Sequence, residues 1–277
     1  MPIKLIALDL DGTILFEDMT ISARVRRALA AAQGRGIHVT LASGRGHASM
    51  RRWAHELDIR VPLITYQGAV IYDLDAEKPI YARTFPAALV PELRDYARAR
   101  DLSLTLYADG LIYVENKRES DAFYEQWFGL PHRVVPDLAA AIREDPIKCL
   151  IIGQGPDLDA LAPEIARHFG DRLQIMRSYV YFLEGMPLGA DKGVALAWLA
   201  ERLGVQRDET MAIGDSGNDV AMVAWAGCGV AMGNATDEVK RVARYVAPPM
   251  DRDGAAEAIE RFCVQAEPGD SRRQRQR

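Results

Sequence analysis

The sequence predicts an α/β protein: a parallel sheet flanked by helices, interrupted by an inserted α+β domain. Three observations predict it. Short apolar runs alternate with amphipathic stretches over the first third of the 277 residues, the same alternation resumes over the last third, and the middle changes to a period of two around turn residues. Strand, helix, strand in succession implies right-handed βαβ units and so a parallel sheet. The length suits one large or two modest domains, each able to bury a core of its own.

The elements follow in order. IKLIALDL from Ile3 is the first strand, and ISARVRRALAAAQGRG is a helix that ends on Gly34 and Gly36. IHVTLAS is a strand, HASMRRWAHELD a helix and VPLITY a strand. From Tyr81 to Pro187 the pattern differs: LSLTLYADGLIYVE alternates on both sides of Asp109-Gly110, a pair that tolerates the positive φ angles of a type I′ hairpin turn. LQIMRS and YVYFLEG form a second candidate hairpin, interleaved with the helices ALVPELRDYARAR and LDALAPEIARHF, which points to a mostly antiparallel sheet. Then KGVALAWLAERLG is a helix, TMAIGD a strand, GNDVAMVAWA a helix and CGVAM a strand. TDEVKRVA and GAAEAIERF are helices around the short strand YVA. The chain therefore divides into a discontinuous sheet domain over 1–80 and 188–264, an insert over 81–187 and a tail over 265–277.

Composition removes several function classes. The chain is 49% hydrophobic and 26% charged, and it lacks an apolar run of the roughly 18 residues that a membrane span requires. MPIKLIALDLDG shows no small-residue cleavage site and its apolar run ends in acids, unlike a signal peptide, so the expectation is a cytoplasmic protein with no membrane partner. Cys149, Cys228 and Cys263 stand far apart in apolar surroundings and read as core fillers. The histidines show no paired spacing for a transition metal. A net charge of -5 argues against nucleic acid as a partner, since phosphate backbones need clustered Lys and Arg. The tail QAEPGDSRRQRQR is the exception; it reads as a disordered, solvated terminus.

Chemistry gathers at the strand ends, where open parallel sheets bind ligands. The first strand ends in Asp9 and Asp11, followed by Gly12 and Thr13; the second in Ser43, Gly44 and Arg45; TMAIG ends in Asp215, followed by Ser216, Gly217, Asn218 and Asp219. Lys192 opens a helix nearby in the pattern. Ionised carboxylates at Asp9 and Asp11 cannot enter an apolar core unpaired, so something cationic must meet them. Asp9 and Asp215, on strands able to neighbour one another, make an oxygen-rich cluster suited to Mg²⁺, which takes one or two carboxylates, waters and a substrate phosphate. The main-chain carbonyl of Asp11 is a further candidate ligand. Ser43, the Gly44 N–H and Lys192 are suited to phosphoryl oxygens. That set makes Asp9 a nucleophile toward phosphorus and Asp11 the acid that protonates the leaving alcohol, then the base that activates water.

DLDGT, LASGR, GADKGVAL and GDSGNDVAM, in this order, resemble the four motifs of the haloacid dehalogenase (HAD) superfamily phosphatases. More narrowly, the chain resembles their Cof-type subfamily with a type IIB α/β cap, because only Ile14 to Ile21 separate the first motif from its helix while the long insert lies between Arg45 and Lys192. The likeness covers the chain up to about Phe262. It implies a Rossmann-like parallel-sheet core with an inserted α+β cap, Asp9 as nucleophile, Asp11 as acid/base, Asp9, Asp11 and Asp215 as the Mg²⁺ set, and Ser43 and Lys192 on phosphate. Asn218 would help to hold phosphate and Asp219 would orient Lys192 or a metal-bound water. Ser43 stands where the family commonly has threonine, and Ser216 where glycine is frequent.

Other features divide between structure and function. Arg45 suits either substrate or a structural ion pair. Gly153-Gln154-Gly155 lacks the third glycine of a dinucleotide loop and precedes Pro156, so it reads as a turn. Tyr107, Tyr113 and Trp127 read as core or pocket lining. The expected function is a phosphomonoester hydrolase acting on a small phosphorylated metabolite, as a monomer or homodimer, with a phosphomutase-type transferase as the alternative. A non-enzymatic phospho-switch fits less well, because the third strand ends in ITYQG with no aspartate.

Overall fold

The computed structural model describes residues 2–265; the arginine-rich tail beyond lies outside them. In chain order the strands are β1 Leu5–Leu8, β2 His38–Leu41, β3 Leu63–Thr65, β4 Val70–Asp73, β5 Lys78–Ala82, β6 Ser103–Ala108, β7 Leu111–Val114, β8 His132–Val134, β9 Lys148–Ile152, β10 Leu173–Tyr179, β11 Phe182–Pro187, β12 Thr210–Gly214, β13 Cys228–Ala231 and β14 Tyr245–Val246. The helices are α1 Ala23–Gln33, α2 His47–Glu56, α3 Val90–Ala99, α4 Asp121–Phe128, α5 Leu138–Ala141, α6 Gly155–Phe169, α7 Lys192–Arg202, α8 Val220–Trp225, α9 Asp237–Val242 and α10 Gly254–Ile259. Two compact units result. One takes in the chain up to Ser43, Arg51–Lys78 and the chain from Asp191; the other takes in Gly44–Met50 and Pro79–Ala190.

The first unit is built on a parallel sheet in the order β14-β13-β12-β1-β2. β1 runs LIAL with every residue buried, as a strand covered on both faces must be. In α1 the Ser22 hydroxyl accepts the Val25 N–H at 3.1 Å, and Val25, Ala28, Leu29 and Ala32 make one buried stripe at helical spacing. Arg24 grips Glu260 through two nitrogens at 3.1 and 2.7 Å, tying α1 to the turn that extends α10.

The third strand departs from expectation. β3 has three residues, touches β2 through a single parallel bridge, Ala42 with Ile64, and pairs along its length with β4 in antiparallel register. The hairpin that begins with β4 has no glycine pair to mark it: AVIYDLDAEKPIYA carries its turn in Asp73, whose carboxylate accepts the N–H groups of Asp75 and Ala76.

The second unit contains a sheet in the order β10-β11-β9-β6-β7-β8, antiparallel except for β7 with β8. Asp109 and Gly110 both have positive φ, 46° and 78°, in the turn between β6 and β7. The later hairpin turns at Val180 and Tyr181, so Tyr179 ends β10 rather than starting β11. One sheet face packs Leu104, Leu106, Ile151 and Leu183 against Leu93, Ile165 and Phe169 of the helices. In a separate row, Lys148 of β9, 4% exposed, donates to Glu184 Oε1 of β11, 3% exposed, at 2.9 Å and lies over the Tyr107 ring. The Gly153–Gly155 stretch is the strand-to-helix turn that leads β9 into α6. Tyr107 and Tyr113 are buried, and so are the three cysteines. Among the described residues no helix is long and apolar enough to cross a membrane.

Candidate active site

The site begins where the two central strands stop. β1 and β12 run parallel with Leu8 opposite Ile213, and the Asp9 N–H still donates to the Ile213 carbonyl at 3.0 Å, which fixes Asp9 at the carboxyl end of the pair. Asp215 follows β12 directly. Beyond Asp9 the N–H groups of Thr13, Ile14 and Leu15 all donate to the Leu10 carbonyl, a tight turn that leaves Asp11 exposed and returns the Thr13 hydroxyl to Asp215 Oδ1 at 3.1 Å. Gly12 has φ +84°, and a Cβ there would stand 2.5 Å from Asp215 Oδ2. Glycine is needed for the backbone angle and for the space.

Lys192 is the first residue of α7, whose start is set by Asp191 accepting the Val194 N–H at 2.7 Å. The lysine is fully buried, at 0% exposure, and its Nζ donates to Asp9 Oδ1 at 2.7 Å and to Asp219 Oδ1 at 2.6 Å. The other Asp219 oxygen accepts the N–H groups of Asp215 and Ser216 at 2.9 and 3.0 Å. Asp219 therefore positions the ammonium and shapes the backbone after β12 at once.

Charge does not balance here. Carboxylate oxygens of Asp9, Asp215 and Asp219 lie within 4.8 Å of one another around one ammonium. Burial, and then the charge of Asp219, push the Asp9 carboxyl well above the usual carboxylate range against the pull of Lys192. Asp215 is pushed up to about 6, by burial first and Asp219 second, with the Thr13 hydrogen bond opposing. Burial pulls the Lys192 ammonium down, yet Asp219 and Asp9 outweigh it and hold the group above its ordinary value. An excess of hard oxygen charge in a buried pocket is what a divalent cation relieves, and these donors fit Mg²⁺. Of the expected metal set, Asp9 and Asp215 converge; Asp11 is exposed and acts on both electrostatically, and Asp219 is the third member of the convergent group.

The expected phosphate ligands are distributed as follows. Ser43 is buried, donates its N–H to Ile64 at 3.0 Å and accepts the Gln67 N–H on its carbonyl at 3.1 Å. Gly44 and Arg45 group with the second unit, where the Arg45 guanidinium lies 5.8 Å from the Trp127 ring centre. Asn218 is occupied at both ends: its Oδ1 accepts from Ser216 Oγ at 2.6 Å and its Nδ2 donates to Gln67 Oε1 at 2.8 Å. Two residues went unassigned in the sequence. Thr13 sits inside DLDGT, so its place beside Asp215 was available to be read; Gln67, in ITYQG, offered only its position at the tip of a strand.

Comparison with known proteins places the chain among phosphatase-like hydrolases. The profile of a family described as haloacid dehalogenase-like hydrolase matches residues 6–259. A 5-amino-6-(5-phospho-D-ribitylamino)uracil phosphatase of Bacillus subtilis is 32% identical over 95% of this chain and 96% of its own length. A solved haloacid dehalogenase-like hydrolase from Bacteroides thetaiotaomicron superimposes with a TM-score of 0.83 at 36% identity, covering 94% of this chain and 99% of that one. A solved HAD subclass IIB sugar phosphatase superimposes with a TM-score of 0.78 at 25% identity, covering 94% and 99%.

Proposed function

We propose that this chain, which belongs to the haloacid dehalogenase-like hydrolase family, is a Mg²⁺-dependent phosphomonoester hydrolase working through an aspartyl-phosphate on Asp9. The carrying observation is the buried Lys192 ammonium held between Asp9 and Asp219 at 2.7 and 2.6 Å, with Asp215 alongside. Asp9 and Asp215 by their carboxylates and Asp11 by its main-chain carbonyl would hold the cation, which leaves the Asp11 carboxyl free for proton transfer. Bound there, Mg²⁺ supplies positive charge that offsets the carboxylates and the phosphoryl oxygens.

The chain's own residues do the rest. An Asp9 oxygen forms a bond to phosphorus as the bond to the ester oxygen breaks, and Asp11 gives its proton to the departing alkoxide. Asp11, now ionised, takes a proton from water; the water oxygen bonds to phosphorus, the bond to Asp9 breaks, and inorganic phosphate leaves. Lys192 neutralises charge on the nucleophile, and with Ser43 and the Gly44 N–H it offers donors to the phosphoryl oxygens. Asp219 keeps Lys192 in place.

The substrate is a small phosphorylated metabolite, a sugar phosphate or a related polyol phosphate, met in the cytoplasm by a monomer or homodimer. The named activities of the relatives support that class, since one dephosphorylates a phosphoribityl compound and another a sugar phosphate. Residues 81–187 are the cap that selects among such substrates.

Asp9→Asn tests the scheme. Hydrolysis of p-nitrophenyl phosphate should vanish while the variant stays folded; turnover that survives removes Asp9 as nucleophile. EDTA should silence the wild type and Mg²⁺ restore it. Release of alcohol and free phosphate in equal amounts separates hydrolysis from phosphomutase-type transfer, and a screen of phosphorylated metabolites identifies the substrate.

A further inference from the structure

The turn after β3 holds three consecutive residues in the left-handed region: Tyr66 at φ 50°, Gln67 at 56° and Gly68 at 90°. Tyr66 and Gln67 are nonetheless buried, Gln67 to 2% exposure. Such a run is costly for residues with side chains and persists only where the surroundings impose it. Three anchors impose it here. The Gln67 N–H donates to the Ser43 carbonyl at 3.1 Å, and the Gln67 side chain accepts from Asn218 at 2.8 Å. At Gly68 the backbone approaches α7 so closely that a Cβ would stand 2.2 Å from the Asp191 carbonyl oxygen. The strained turn is therefore wedged between Ser43 and Asn218, two residues assigned to phosphate by the motif pattern, and Asp191, the residue before Lys192.

The hydrogen bonds through this turn run in one direction. Ser216 Oγ donates to Asn218 Oδ1, and Asn218 Nδ2 donates to Gln67 Oε1. An amide whose oxygen is taken presents its N–H₂ as the end of the relay. We infer that Gln67 is the phosphoryl-binding amide of this site, its Nε2 donating to a phosphoryl oxygen, and that Asn218 is the positioning residue that orients it. A terminal donor selects an anion, and a rigid, buried one is prepared for charge that grows on the transferring group. Gln67 thus takes the role that the motif pattern gave to Asn218. This rests on the phosphatase reading of the site.

The test uses the full chain with Mg²⁺. Gln67→Glu keeps the oxygen that accepts from Asn218 and replaces the N–H₂ donor with a second carboxylate oxygen. The expected result is a fall in kcat/KM for p-nitrophenyl phosphate of about 10²-fold, borne by kcat more than by KM, with weakened competitive inhibition by inorganic phosphate. Gln67→Gly removes the amide but relaxes the backbone, so it should lose activity to a similar extent while its melting temperature holds or rises. Gln67→Asn, which tolerates the left-handed region and keeps a donor, should recover part of the loss. A Gln67→Glu variant within threefold of wild type in kcat/KM and in phosphate inhibition overturns the inference, as does a Gln67→Gly variant that loses stability but no activity. If turnover survives Asp9→Asn, the nucleophile assignment falls separately, and phosphate inhibition of wild type against Gln67→Glu still decides the role of Gln67.

Discussion

The two units each bury a lysine, and they do so to opposite ends. Lys148, the first residue of β9 in the second unit, meets the Glu184 carboxylate of β11 at 2.9 Å. Lys192 in the first unit meets two, Asp9 just past β1 and Asp219 in the turn after β12, and Asp215 clusters with both. The first arrangement is a neutral ion pair, self-contained in charge although Glu184 Oε2 has no hydrogen-bond partner among the described residues. The second is short of positive charge, a shortage that a cation from outside would relieve. Burial of charge alone therefore does not mark a site; imbalance does.

Substitutions at the two lysines sharpen the contrast, beginning with the largest effect. Lys192→Met should lower kcat/KM for p-nitrophenyl phosphate by about 10²- to 10³-fold, because the charge it offsets grows during reaction. Activity within tenfold of wild type would make Lys192 a structural residue like Lys148. Next, Lys148→Met leaves Glu184 buried and unpaired and should cost about 3–5 kcal/mol in urea unfolding, whereas Lys148→Met with Glu184→Leu should return to within about 1 kcal/mol of wild type. If the double variant were as unstable as the single, the pair would not be the self-contained unit described.

The smallest effect concerns pH. The Asp215 carboxyl titrates near 6 in the folded chain, against about 3.9 when unfolded. Between those values the folded state binds more protons at this group, so its contribution to stability without cation is fully present below about pH 4 and is lost as pH rises through about 6. The loss from this group should be on the order of 1–2 kcal/mol, since Asp215 is partly open to solvent. A metal needs the ionised form, so the rise in melting temperature that Mg²⁺ produces should grow across the same window. A Mg²⁺ shift that is flat from about pH 4 to 7 would disconnect Asp215 from the cation.

Much of this was legible in the sequence because it depends on local rules. The alternation of apolar runs marks the strands of a parallel sheet, and aspartates at the ends of LIALDLD and TMAIGD have no place in a core unpaired, so they declare themselves. Asp109-Gly110 declares its turn in the same way. What could not be read depends on distant partners. β3 leaves the parallel sheet after one bridge because β4 offers it a full antiparallel ladder, and no periodicity reveals that choice. Gln67 follows a run of apolar and aromatic residues like many a core glutamine; its left-handed backbone comes from Ser43, 24 positions earlier, and its acceptor role from Asn218, 151 positions later. Gly44 and Arg45 adjoin Ser43 in LASGR but group with the other unit, a division that adjacency in sequence conceals.

Gly12 carries a last consequence. The hydrogen that serves as its side chain leaves 2.5 Å between an added carbon and Asp215 Oδ2, and its φ of +84° excludes most other residues independently. Position 12 is thus doubly constrained, once by torsion and once by volume, and relaxing either constraint leaves the other. In a library randomised over the loop between β1 and α1, selection for activity should return many solutions for the flanks and a single letter at this point.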